Sequence, residues 1–138
     1  LIECVPNFSE GRSKSFLNNI EHIIKSSNNV HLLDIDPGID TNRTVVTFVG
    51  HPDNVIDTAY QLIKYASKTI DMRNHQGEHP RMGSTDVCPI IPLDGVTMKD
   101  CIDYSKQLAH LQITISDLNE VECQPPYLCS AFSAYSLP

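Results

Sequence analysis

Apolar positions along the chain change period several times, and each change marks an element. Leu1 to Pro6 is a short apolar run closed by a proline, which predicts a buried strand. Asn7 to Gly11 then reads as a turn, since Asn, Ser and Gly supply side-chain acceptors and a permissive backbone. From Ser13, apolar residues fall at Phe16, Leu17, Ile20, Ile23 and Ile24, one face of an amphipathic helix that Ser26-Ser27-Asn28-Asn29 stops. Val30 to Ile35 and Thr44 to Val49 predict two further strands, the latter rich in β-branched residues. Asp36-Pro37-Gly38 closes the first of these, and the turn runs on through Asn42. Gly50-His51-Pro52-Asp53 opens a second helix, Pro being suited to the first helical position. Its core face is Val55, Ala59, Leu62, Ile63, Ala66 and Ile70. Val87 to Leu93 is a fourth strand whose Pro89 and Pro92 suit a sheet edge or a strand end. Thr97 and Asp100 have capping-box spacing, and Met98, Cys101, Ile102, Ser105, Leu108 and Ala109 make a third helical face.

The order is βαββαβα. Helices landing on one face of a mostly antiparallel sheet predict an α+β, ferredoxin-like fold spanning residues 1–110, truncated at its C-terminal end. After His110 the character changes. Residues 111–138 carry three acids, no Lys or Arg, four serines and Pro125-Pro126, which predicts a loosely ordered tail. Ile113 and Ile115 alternate with polar residues there, so one weak strand is allowed.

Between the second helix and the fourth strand, Asp71 to Asp86 has no apolar period. It holds two histidines, two arginines, three acids, two glycines and a proline. Loops of that length inside a compact domain are either functional or disordered, and this one is no spacer in composition. It predicts a site.

Composition narrows the function classes. At 138 residues there is room for one domain with a real core. Seventeen acids against ten bases argue against a nucleic-acid binder, which shows a basic face. No apolar run approaches the length that spans a bilayer. Five cysteines form no CxxC pair and leave an odd one under full pairing, so reduced thiols in a cytoplasmic protein are expected. The sequons at Asn7 and Asn42 would accept glycans only after secretion, and no signal peptide is visible.

A resemblance rests on particular residues. Glu3-Cys4-Val5-Pro6-Asn7-Phe8-Ser9-Glu10-Gly11 resembles the formiminotransferase (glutamate formimidoyltransferase) family. So do Leu32 to Asp36, Thr41 to Val45, Gly77-Glu78-His79-Pro80-Arg81-Met82-Gly83 and Asp86-Val87-Cys88-Pro89. The resemblance is to the family's N-terminal subdomain, over roughly residues 1–110, standing without the second subdomain or the cyclodeaminase domain. It implies transfer of a formimidoyl group from N-formimidoyl-L-glutamate to N5 of tetrahydrofolate, a step of histidine catabolism. Folate is then bound as co-substrate, in a cleft between two subdomains. His79 matches the family's catalytic histidine, and Asp36 matches an acidic site residue.

The residues suit that chemistry. An imidazole titrates near working pH and can both take and return a proton, and Pro80 keeps His79 on an extended loop. Arg43 and Arg81 can fork onto substrate carboxylates, or else pair with Glu78 or Asp86. Asp36 orients the histidine or holds a substrate nitrogen, or else bonds its own turn. Asn42, Glu78 and Gly83 complete the expected substrate-binding set, with Asn7 and Asn42 as turn formers first. Gly77 and Gly83 are expected to permit positive φ. His75 is expected to be a solvated loop residue. A metal site is not expected, because Gly77 and Pro80 prevent the helix that would bring His75 and its neighbours together. Two functions are expected. One is an enzyme half needing a partner for the other wall of the cleft. The other is a truncated paralogue or splice product, binding folate or a protein through its open sheet face, a second copy included.

Overall fold

The computed structural model describes residues 1–78 and 83–119, with 112–119 as helical backbone. In chain order the elements are β1 (Ile2–Cys4), β2 (Asn7–Phe8), α1 (Lys14–Lys25), β3 (Val30–Gly38) and β4 (Arg43–Gly50). Then follow α2 (Pro52–Thr69), a 3-10 turn at Met72–Asn74, β5 (Thr85–Val87), β6 (Ile90–Pro92) and α3 (Met98–Asn119).

Prolines explain why six short strands form what is in effect four. Against β4, β1 and β2 keep one unbroken register, with Cys4 opposite Phe48 and Asn7 opposite Val45. They are separated only around Pro6, which has no N–H to give; its carbonyl still accepts from Val46 N at 3.0 Å. On the other side β6 pairs with β1 and β5 with β2, interrupted at Pro89. Here too the missing N–H has a consequence. Val5 N donates to Pro89 O at 3.1 Å, and Val5 O, which a residue-89 amide would otherwise reach, accepts instead from Asn7 Nδ2 at 3.0 Å. Asn7 therefore lies in a strand and serves the ladder, not a turn. β3 lies outside β4, antiparallel like every other pair. The four lines run β5/β6, β1/β2, β4, β3, which is the ferredoxin-like order, and the fold is the α+β arrangement that the pattern predicts.

Alternation along β4 assigns the two faces. Thr44, Val46, Phe48 and Gly50 are buried while the intervening residues are half-buried. The buried side meets the helices, with α2 touching β1, β3, β4 and β5, α1 on β3 and α3 on β6. Phe8, Phe16, Phe48, Ile20, Ile24, Val55, Ala59 and Leu62 are all at or near zero exposure. Phe16 stacks on Tyr65 with centroids 5.6 Å apart and meets Phe8 edge-on at 6.0 Å. Local signals end the helices as expected. Ser13 Oγ accepts from Phe16 N, Pro52 opens α2, and Thr97 and Asp100 exchange side-chain-to-backbone bonds of 2.8 and 3.2 Å.

Two boundaries differ from the pattern. Asp36 and Pro37 belong to β3, which continues to Gly38, because the pairing of Asp36 with Val45 and of Gly38 with Arg43 holds them in the ladder. The stretch carrying Ile113 and Ile115 is part of α3, so its alternation makes no strand. Once nucleated by its capping box and docked through Cys101, Ser105 and Leu108, the helix propagates at one hydrogen bond per added residue.

Candidate functional site

The expected site residues that are described gather at one end of the sheet. There the β1/β2 line leads into the turn of residues 9–13, β3 turns into β4, and residues 71–84 return to β5. Asp36 stands opposite Val45, and Arg43 lies two residues from Val45, so the two occupy diagonal positions on one face. Asp36 is exposed.

Asp86 reaches this end through a bulge. The β2–β5 register slips by one between Asn7 and Phe8, which leaves Asp86 as the extra residue. Its carboxylate is buried. Oδ2 lies 3.8 Å from Arg43 Nε, and Oδ1 accepts from Gly83 N at 3.3 Å and Ser9 Oγ at 3.5 Å. Ser9 Oγ also donates to Gly83 O at 2.6 Å. The C-terminal flank of the 71–86 loop is thus fastened to the turn after β2. A carboxylate beside a half-buried guanidinium helps fix its orientation.

The N-terminal flank is fastened by Asn42. This residue sits at φ 49° and is buried. Its Oδ1 accepts from Gly11 N at 2.9 Å, and its Nδ2 donates to Gln76 O at 3.0 Å. Its own carbonyl lies 3.1 Å from His75 Nε2, and Glu78 N donates to Asp40 O at 3.3 Å. Gly77 packs against the same turn so closely that a Cβ would lie 2.4 Å from Thr41 O. That contact, and not positive φ, accounts for the glycine. Gly83 also lacks positive φ and has room for a Cβ at 3.4 Å from Thr85 O. His75 is buried at 7% exposure, not solvated, because the Asn42 carbonyl draws its ring in. The bond to a carbonyl makes Nε2 the protonated nitrogen, and Nδ1 is buried with no partner among the described residues.

Glu78 and Gly83 flank residues 79–82, so the expected catalytic His79 and anion-binding Arg81 lie outside the described residues. Among the described residues the site therefore brings together Arg43, Asp86, Asn42, Glu78 and Gly83 with Asp36 on the same face. Ser9 is a structural member that sequence reading did not assign to it; Asp86, expected only as a pairing partner of Arg43, and His75, expected to be solvated, are structural members too. A bulge and a buried histidine leave no local signature. Asn7 and Asn42, though both in sequons, have their amides engaged and under a tenth of their surface exposed. Among the described residues no three His, Cys, Asp or Glu side chains gather to hold a metal, and no helix is long and apolar enough to cross a membrane.

Among the described residues, a ferredoxin-like sheet with helices on one face and loop-borne polar side chains at one end defines an α+β domain. The family described as the formiminotransferase domain, N-terminal subdomain, matches residues 1–121. The chain belongs to that family. It is 52% identical over 107 residues to the formimidoyltransferase-cyclodeaminase of Dictyostelium discoideum, covering 78% of this chain and 20% of that protein. It is 46% identical over 109 residues to the glutamate formimidoyltransferase of Streptococcus pyogenes serotype M1, covering 79% and 36%. To the formimidoyltransferase-cyclodeaminase of Rattus norvegicus it is 52% identical over 106 residues, covering 77% and 20%. The chain thus spans between a fifth and just over a third of the length of these relatives.

Proposed function

We propose that this chain forms one wall of a formimidoyltransferase site. That site transfers the formimidoyl group from N-formimidoyl-L-glutamate to N5 of tetrahydrofolate and releases glutamate. The observation that carries the reading is the convergence, at one end of the open sheet face, of Arg43 and Asp86 with both anchored flanks of the His79 loop. The names of the relatives agree with it.

In this reading His79 takes the proton from N5 as it attacks the formimidoyl carbon, and returns a proton to the glutamate nitrogen as the C–N bond breaks. Arg43 and Arg81 bind substrate carboxylates, and Asp36 holds a substrate nitrogen or orients His79. Glu78 and Gly83 line the entrance to the loop. Asn42, with both ends of its carboxamide engaged, acts on substrate only by positioning the loop. Tetrahydrofolate is a co-substrate, and the reading calls on no metal. A cytoplasmic setting goes with it, as does the free state of Cys4, Cys88 and Cys101.

Preorganised electrostatics depends on a water-excluding opposite wall, which in this reading a second subdomain supplies. The test is turnover of formimidoylglutamate and tetrahydrofolate by this chain alone and with a separately supplied second subdomain. Turnover is expected with the second subdomain and abolished by His79→Ala; no turnover in either mixture, or turnover that His79→Ala leaves intact, overturns the reading.

One feature favours a second reading, a non-catalytic module that binds folate or a protein partner. Val5, Val45, Val49, Val87 and Ile91 line the helix-free face, with Ile91 38% exposed. Folate binding by calorimetry without turnover in either mixture, or a concentration-dependent dimer, would select it.

A further inference from the structure

Outside the site, two thiols are placed for a reaction that the family chemistry does not use. Cys4 on β1 is paired with Ile90, and the bond from Val5 N to Pro89 O continues that register, so Cys88 falls beside Cys4 on the helix side of the neighbouring line. Both are free and buried, and their sulfurs are 3.5 Å apart. A disulfide needs about 2.05 Å between sulfurs, so side-chain rotation with a small strand shift closes the gap. Side chains one diagonal step apart on adjacent antiparallel strands are within range of such a shift.

Access is the other requirement, and the sheet supplies it at this point. Cys88 lies in the β5–β6 line, which among the described residues has a sheet neighbour on one side only. Around it the ladder is thin: Pro89 gives no N–H to β1, and the register slips at Asp86 just before it. Edge segments with few hydrogen bonds open locally at lower free energy than the core. The contact with Cys88 and then burial push the Cys4 thiol well above its ordinary value, so Cys4 stays protonated until its neighbour is modified.

We propose that Cys4 and Cys88 form a reversible oxidation site that takes a small hydroperoxide and closes as a disulfide between β1 and the edge strand. The hydroperoxide transfers one oxygen to the Cys88 sulfur and leaves as the alcohol, or as water from hydrogen peroxide. Cys4 sulfur then attacks the resulting sulfenic acid, the S–O bond breaks, and the hydroxyl departs with the Cys4 proton as water. Two thiols are oxidised by two electrons and the peroxide is reduced by two. Because residue 88 adjoins the bulge, closure also pulls on the segment that carries Asp86.

The test treats the folded full chain with hydrogen peroxide, blocks remaining thiols under denaturing conditions, and maps the peptides. The expected product is a Cys4–Cys88 cross-linked peptide that dithiothreitol reverses, formed while Cys101 is still alkylated. In urea, where the register is gone, the same treatment should scatter the pairings. A Cys4→Ser variant, checked for folding by circular dichroism, should leave Cys88 carrying added oxygen instead of a cross-link. The proposal is overturned if Cys4 and Cys88 are both recovered alkylated, if Cys88 in the unaltered chain goes on to the sulfinic acid, or if either pairs with another cysteine in the folded protein. Should Cys4→Ser fail to fold, the contrast between native and urea-treated chain decides.

Discussion

Arg43 and Asp86 approach each other across the sheet, Nε to Oδ2 at 3.8 Å, from strands that are not neighbours: β2 lies between β4 and β5. They meet because the bulge re-aims Asp86 and because Arg43 falls on the helix-free face. The carboxylate also holds Gly83 N. Asp86→Ala leaves that amide without its acceptor and removes the negative charge beside Arg43, which costs about 1–3 kcal/mol. Asp86→Asn keeps an acceptor and, at 3.8 Å, loses a charge interaction more than a hydrogen bond, so it should cost less than about 1 kcal/mol. Urea unfolding of the two variants checks this. Equal losses would mean that the charge, not the hydrogen bond, holds the bulge.

The same logic isolates Asn42. Its two side-chain bonds reach residues 31 positions earlier and 34 later, and its φ of 49° strains any residue with a branched or apolar side chain. Asn42→Ala loses both bonds and keeps the strain, for about 2–4 kcal/mol taking roughly 1 kcal/mol or more for each term. Asn42→Gly loses the bonds but relaxes the backbone, and should retain about 0.4–1 kcal/mol more stability. Asn42→Asp keeps the bond from Gly11 N and sets an oxygen against the Gln76 carbonyl, so amide exchange should speed up around Gln76 and not around Gly11. Uniform acceleration at both ends would refute a two-ended clip.

Acid behaviour follows from Asp71, at the start of the site loop. Hydrogen bonds from the Arg73 side chain, 2.9 Å at each oxygen, hold its carboxyl at about 2 against an ordinary 3.8. A depressed carboxylate contributes stability that is complete above the unfolded value and disappears as pH falls through the folded one. The contribution is therefore lost between about pH 4 and about pH 2. Both groups are solvent-exposed, so salt screens the effect. A carbon-detected titration should place Asp71 near 2, return it to the ordinary range in Arg73→Gln, and move it part of the way in high salt. A midpoint untouched by Arg73→Gln would remove Arg73 as the cause.

These cases show where sequence legibility ends. Phe16 to Ile24, Pro52, and Thr97 with Asp100 announce helices because periodicity and caps are local, set within one or two turns of chain. Pro89 marks the break in its line for the same reason. The edges of β3 were hidden because Asp36-Pro37-Gly38 has turn composition, and only pairing with Arg43 to Val45 keeps it extended. The site loop stood out by lacking period, yet its fastening did not. Ser9 with Gly83, Asn42 with Gln76 and His75 with the Asn42 carbonyl join residues 74, 34 and 33 positions apart. Burial of a histidine or a bulge at Asp86 depends on such approaches, which leave no mark in spacing.

The two glycines of the loop offer a clean separation of fold from ligand. At Gly77 an added Cβ would lie 2.4 Å from the backbone oxygen of Thr41 and 2.9 Å from Asn42 Cβ, neither of which can swing away. Gly77→Ala must push the loop off the β3–β4 turn, at a cost of about 1–3 kcal/mol in the manner of overpacking. At Gly83 the nearest atom to an added Cβ is Thr85 O at 3.4 Å, an ordinary contact, and φ there is not positive. Gly83→Ala should therefore unfold in urea within about 0.5 kcal/mol of the unaltered chain. With stability unchanged, its effect on tetrahydrofolate affinity becomes a direct readout. A residue lining the binding surface should lose affinity several-fold when a methyl group is added, whereas one serving only as loop backbone should lose none. Measured by calorimetry beside Gly77→Ala, which should weaken binding and stability together, a Gly83→Ala variant with full stability and full affinity would strike Gly83 from the substrate-binding set.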